Sequence, residues 1–89
     1  MATKPADADV ATDVRAVIGA FARREPATLS DADELIATLR LRDVDLPFLA
    51  MSLRGYVKRF KKSSTITTGE VRKAKTVAGT VTLVQGRIR

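Results

Sequence analysis

Residues 39–53 read LRLRDVDLPFLAMSL, and the parsing of this stretch decides the fold. From it onward Leu49, Leu53, Tyr56 and Phe60 recur at i, i+4, i+7 and i+11, with Ala50 and Val57 beside them. That spacing is one face of an α-helix. Asp43 can accept hydrogen bonds from the free N–H groups of a first turn, so it is the expected N-cap. Asp45 adds negative charge at the positive end of the helix dipole. Pro47 is tolerated there because a first-turn N–H has no partner to lose. The other side of the helix carries Arg54, Lys58, Lys61 and Lys62, joined by Arg59. Gly55 sits inside it and costs about 1 kcal/mol relative to alanine. Ser63 to Thr65 then break the pattern.

Upstream, Val10, Val14, Val17, Ile18 and Phe21 recur at helical spacing and predict an amphipathic helix from about Val10 to Arg24, stopped by Pro26. Residues 1–9 are polar, contain Pro5, and read as a disordered tail. Ser30 and Asp33 suggest a short helix, or a loop with one helical turn, over Asp31 to Leu39. It would anchor Leu35, Ile36 and Leu39 in the core. Arg40 to Asp43 reads as a turn. Downstream, Thr67-x-x-Glu70 is a capping box, which predicts a helix over about Thr68–Ala74 with Ile66 and Val71 inward. Thr76 to Gln85 is ambiguous by itself. Val77, Val81 and Val84 fit a helical face, yet the stretch is β-branched and contains Gly79, which favours a strand.

The 89 residues have room for one domain, expected over residues 10–85, with 86–89 as a C-terminal tail. A 45% hydrophobic content supplies a core. Cysteine and histidine are both absent. Disulfides, iron–sulfur clusters, thiolate or imidazole metal sites and Cys or His nucleophile–base pairs are therefore excluded. The longest apolar run, Ala16 to Ala22, falls well short of the ~20 residues that cross a membrane. The start has no apolar signal segment. A soluble, cytoplasmic protein is expected.

The net charge of +6 is unevenly placed. Residues 1–45 hold six basic and nine acidic side chains; residues 46–89 hold ten basic ones and a single acid, Glu70. A basic half of this kind points to an anionic partner: nucleic acid, an acidic protein surface or anionic lipid.

In its order of helices the chain resembles the acyl carrier protein family, a small all-α four-helix bundle. The first-helix stripe matches the family's apolar spacing. Residues 39–53 resemble its L-G-x-D-S-L-D-x-x-E-L-x-x-x-L signature, and Ile66 to Val84 (ITTGEVRKAKTVAGTVTLV) resembles its I-P-D-E-E-x-x-x-I-x-T-V-x-x-x-V-x-x-I segment, Thr76-Val77 most closely. The resemblance covers about residues 10–85 and tips the last segment to helix. It also implies a departure. The family's signature serine carries a phosphopantetheine arm, and here Arg42-Asp43-Val44-Asp45 places Asp43 at that position. A carboxylate has no hydroxyl with which to take up the arm, so no cofactor is expected. A rival register would put the arm on Ser52, with a helix starting at Leu53, and only then would phosphopantetheine be present. It would place Lys58, Arg59 and Lys62 where the family buries apolar side chains.

The family's central helix is typically acidic; here it carries Arg54, Lys58, Arg59, Lys61 and Lys62. The expected function is that of a carrier-protein-like module without its arm. It would act by protein–protein interaction on an acidic surface, such as a biosynthetic enzyme or another carrier protein, within a lipid or polyketide-type system. The alternatives are a true carrier modified at Ser52 and a small basic nucleic-acid-binding helical protein, whose cations would be those of residues 58–62 with Arg72, Lys73 and Lys75. An enzyme is not expected. Asp43 and Asp45 point apart at a helix start, Glu70 belongs to a capping box, and no motif supports a metal.

Overall fold

The computed structural model describes residues 3–89, which form a small all-α four-helix bundle: α1 (Asp7–Ala22), α2 (Leu46–Lys58), α3 (Thr68–Ala74) and α4 (Val77–Ile88). Helix α1 starts at Asp7, earlier than its apolar stripe requires, because Asp7 and Asp9 suit the positive end of its dipole. Of the expected tail, residues 1–2 lie outside the described residues, and residues 7–9 belong to the helix. Helix α1 ends where Arg23 turns left-handed (φ 57°) and the Arg24 N–H returns to the Gly19 carbonyl at 2.9 Å. Val10, Val14 and Ile18 are buried along one side, against α4 and α2.

Residues 23–42 form no α-helix. Of the two forms expected for Asp31–Leu39, the loop with one helical turn is present and the short helix is not, and a 3-10 turn lies at Pro26–Thr28. The segment is held by what it buries: Leu29, Leu35, Leu39 and Leu41 all enter the core. Ile36, expected to anchor there too, is 44% exposed. The Thr38 and Arg40 N–H groups return to the Glu34 and Ile36 carbonyls at 3.0 and 3.1 Å, and this single helical turn buries Leu35 and Leu39 while leaving Ile36 on its outer side.

The central helix differs from expectation at both ends. A 3-10 turn over Asp43–Asp45 leads into α2, and Asp43 does not cap it. Asp45 reaches back instead, its Oδ2 accepting the Arg42 N–H at 2.8 Å. At the other end α2 stops at Lys58, with Arg59 as C-cap, so Lys61 and Lys62 lie beyond the helix. Leu46, Leu49, Leu53 and Val57 are completely buried. Each such side chain contributes about 1.5–3 kcal/mol by leaving water.

The capping box of α3 forms as the sequence indicates: the Thr67 hydroxyl accepts the Glu70 N–H at 3.2 Å, and Glu70 accepts the Thr67 N–H at 3.0 Å. The ambiguous last segment is helical and runs to Ile88. Val77, Val81, Val84 and Ile88 sit one turn apart and are buried, and this outweighs β-branched propensity. The Thr76 hydroxyl caps it by accepting the Gly79 N–H at 3.0 Å. The corner between α3 and α4 is tight. A Cβ on Gly79 would lie 2.2 Å from the Ala74 carbonyl oxygen, so only glycine fits. The same corner holds the long loop: Glu34 and Thr76 form an antiparallel bridge, and the Val77 N–H donates to the Asp33 carbonyl at 2.9 Å.

Candidate functional site

Two features mark the two ends of α2. The first is the turn that begins it. Asp43 stands at the solvent-facing tip, its side chain 78% exposed, 3.6 Å from the Arg72 guanidinium of α3. Val44 and Asp45 complete the turn. The Arg42 N–H, and then the Arg42 guanidinium, hold the Asp45 carboxyl below its ordinary value. Asp45 is thus a structural acid, committed to the turn, whereas the Asp43 carboxylate, facing Arg72 across 3.6 Å, accepts no hydrogen bond among the described residues and stays open to solvent. Ser52 is also exposed, but it lies within α2 rather than at a helix start, so the helix that the rival register requires at Leu53 has no beginning there.

The second feature is the basic group at the far end of the same helix. Arg54 Nε donates to the Ile66 carbonyl at 3.2 Å, Lys58 Nζ to Lys62 O at 3.2 Å, and Lys61 Nζ to Arg89 O at 2.7 Å. Arg59 lies over the rings of Tyr56 and Phe60, 5.9 and 5.5 Å from their centres. Because α2 ends at Lys58, these cations do not form one stripe along a helix face. They wrap the end of the bundle where α2 and α4 both finish, and their positive charge suits those two carbonyl-rich termini. None of Arg54, Lys58, Arg59, Lys61 or Lys62 has an Asp or Glu side chain within ion-pairing distance among the described residues. By contrast Arg72, Lys75, Arg87 and Arg89 are each paired, with Asp43, Glu34, Glu70 and Asp7 respectively. Glu70 is drawn down to about 2, first by Arg87 and then by the Thr67 N–H.

Between tip and basic end lies a feature the sequence reading did not single out. Val44, Phe48 and Met51 are 61%, 59% and 58% exposed. They recur at i, i+4 and i+7, on the side of α2 opposite Leu46, Leu49 and Leu53, and Gly55 continues the row with open space above it. Helix α2 is therefore apolar on two sides. The spacing was present in the sequence, but the outer side was read from its cations alone. A row of large apolar side chains facing water marks an interaction surface more often than a scatter of single ones does.

Tyr56 and Phe60 pack edge-to-face at 5.3 Å in the core. The Tyr56 hydroxyl donates to Asp13 at 2.6 Å, and burial with that bond pushes its ionisation up. Neither ring is available to stack on a nucleic-acid base. Among the described residues no cluster of acids is placed to hold a metal ion, and no helix is long and apolar enough to cross a membrane. Comparison with protein-family models, with curated proteins and with solved structures gave no match for this chain.

Proposed function

We propose that the protein is an acyl carrier protein-like module that has lost its arm and works by binding. Its docking surface is the outer side of α2, with Val44, Phe48 and Met51 as the apolar centre and Lys58, Arg59 and Lys62, joined by Arg54 and Lys61, as the charged end. The partner is an acidic protein surface, such as a biosynthetic enzyme or another carrier protein of a lipid or polyketide-type system. The observation that carries this reading is the cluster of five cations without Asp or Glu partners among the described residues, at the end of α2, beside the exposed apolar side chains of Val44, Phe48 and Met51. Apolar centres surrounded by charge are how protein interfaces are built, and the charge sets on-rate and specificity. Asp43 supports the loss of the arm: it occupies the exposed tip at the start of α2 and has no hydroxyl.

The test has two arms. In the first, partners are pulled down by the wild type, by Lys58→Glu/Lys62→Glu and by Phe48→Ser at low and high salt. Loss of the same partners in both variants and in salt supports the docking surface, and an unchanged partner set rejects it. In the second, intact mass is measured after treatment with a phosphopantetheinyl transferase. An unchanged mass supports the armless reading, and a shift mapped to Ser52 or any other serine overturns it.

A further inference from the structure

A groove of about 480 Å³ lies between the end of α1, residues 39–42 and the turn that begins α2. Leu39 and Leu41 are buried at its floor, and Arg23, Arg40 and Arg42 stand exposed around it. One acid, Asp45, lines it with them, and its carboxylate is spent on Arg42: it accepts the Arg42 N–H at 2.8 Å and faces the Arg42 guanidinium at 3.4 Å. Arg23 and Arg40 have no Asp or Glu side chain within ion-pairing distance among the described residues. Three guanidiniums against one carboxylate leave the groove positive, and the carbonyl end of α1, worth about half a charge, offsets only part of the excess. Composition does not explain the gathering. Residues 1–45 hold six basic and nine acidic side chains, yet three of those six bases line this one groove.

The backbone is a second observation at the same place. Arg23 and Arg40 both hold left-handed φ, 57° and 63°. That region favours glycine, because a Cβ there crowds the following carbonyl. Among the described residues three non-glycine residues adopt it, and two of them are these arginines. At the end of α1 a cation suits the helix dipole, which gives Arg23 a structural reason to be there. Arg40 has no such reason, since it lies outside any α-helix. Its side chain supplies charge to the groove at a position whose backbone prefers none. Guanidinium forks take phosphoryl oxygens two at a time, and two unpaired forks on separate segments suit two linked phosphoryl groups. The volume falls within the range of small-molecule sites, about 300 to 1,000 Å³.

We infer that this groove binds a diphosphate group, free or at the end of a larger molecule, through Arg23 and Arg40 with Arg42 beside them. The site does not rest on the docking surface of α2, so either can fail alone. The probes are pyrophosphate, ADP, inorganic phosphate and adenosine, titrated into the full chain and followed by amide chemical shifts. The titrations run in about 0.1 M salt, which screens charges more than about 10 Å away; the basic end lies the length of α2, about 20 Å, from the groove. Saturable binding of pyrophosphate below about 1 mM is expected, with shifts at Arg23, Arg40, Leu41 and Arg42. Inorganic phosphate should bind about tenfold more weakly or worse, and adenosine should not bind. ADP as tight as pyrophosphate places the group at the end of a larger molecule, and ADP much weaker makes it the free anion; either result supports the site. Arg23→Gly and Arg40→Gly should each weaken pyrophosphate about threefold or more, and together about tenfold or more. Both put glycine where the backbone prefers it, so arginines with a purely structural role would leave binding intact. Arg40→Gln should show the same loss with the Cβ retained, and Lys58→Glu/Lys62→Glu should bind as the wild type does. The inference is overturned by phosphate or adenosine binding as tightly as pyrophosphate, by unchanged affinity in the double glycine variant, by shifts confined to residues 58–62 or loss of binding in Lys58→Glu/Lys62→Glu, or by the absence of saturable binding.

Discussion

Gly55 and Gly79 both lie inside helices, and alanine at either position gains about 1 kcal/mol in helix propensity. The structure gives the two substitutions opposite signs. Above Gly55 there is nothing within 4 Å, so Gly55→Ala keeps the whole gain. At Gly79 the new Cβ would stand 2.2 Å from the Ala74 carbonyl oxygen, where ordinary contact begins near 3.4 Å. That carbonyl must retreat by roughly 1 Å. It also accepts the Thr76 N–H at 2.7 Å, and the Thr76 hydroxyl caps α4 from 3.2 Å below the new atom. Retreat therefore breaks that hydrogen bond and pulls away a cap worth about 1 kcal/mol. It also disturbs the packing of Val71 and Val77, both completely buried. The net cost of Gly79→Ala is about 2–4 kcal/mol. Urea unfolding measures both variants. The midpoint should rise for Gly55→Ala and fall for Gly79→Ala, with little change in slope. In a domain of this size the second corresponds to a fall of about 10–25 °C in melting temperature. A Gly79→Ala protein as stable as the wild type would refute the tight corner, and with it the helical reading of the last segment.

Leu49→Ala should cost about 2–5 kcal/mol in urea unfolding, because the side chain is wholly enclosed; a loss below 1 kcal/mol would mean α2 does not face the core as described. Thr76→Ala should lose about 1 kcal/mol and speed amide exchange at Gly79; unchanged exchange there would count against the cap. Glu70, drawn from an ordinary 4.5 down to about 2 by Arg87 and Thr67, stabilises the fold fully above pH 4.5 and loses that contribution as pH falls towards 2. In Glu70→Gln the acid-unfolding curve should be flatter over that window, and an identical curve would show that the pairing contributes nothing. Arg40 holds φ 63°, so Arg40→Gly should be neutral or stabilising in thermal melts, whereas glycine in ordinary loop backbone destabilises.

The helices were legible where one signal had no rival. The Thr67–Glu70 box located α3 because both halves of the device are local in sequence, and the row from Leu49 to Phe60 located α2 because its period is strict. The start of α2 was misread. Asp43 was expected to cap it, but a 3-10 turn intervenes, neither acid caps α2 with its side chain, and Asp45 reaches back to the Arg42 N–H instead. Its end was overrun because Phe60 is buried from a turn beyond the helix, which extends the apolar row past the last helical residue. Residues 23–42 had alternating weak signals, and their order comes from hydrogen bonds to a corner about forty residues away, which no window on the sequence contains. In the candidate site, the five cations were legible by composition. Their lack of Asp or Glu partners was not, since pairing is set by which helices end together. The apolar row Val44–Phe48–Met51 was hidden because an exposed side and a buried side of one helix carry the same spacing, and burial alone separates them.

The Arg89 guanidinium meets Asp7 at 2.7 Å, and the Gln85 amide donates to the Asp7 carbonyl at 3.0 Å, so the first turn of α1 and the last turn of α4 lie side by side. A bridge of a few residues could weld the two extremities into a ring and remove configurational freedom from the denatured chain. New extremities could then be opened among the exposed residues at Ser30–Ala32. A circularly permuted protein of that design would present α2 unchanged while freeing its original ends from any role in display or fusion.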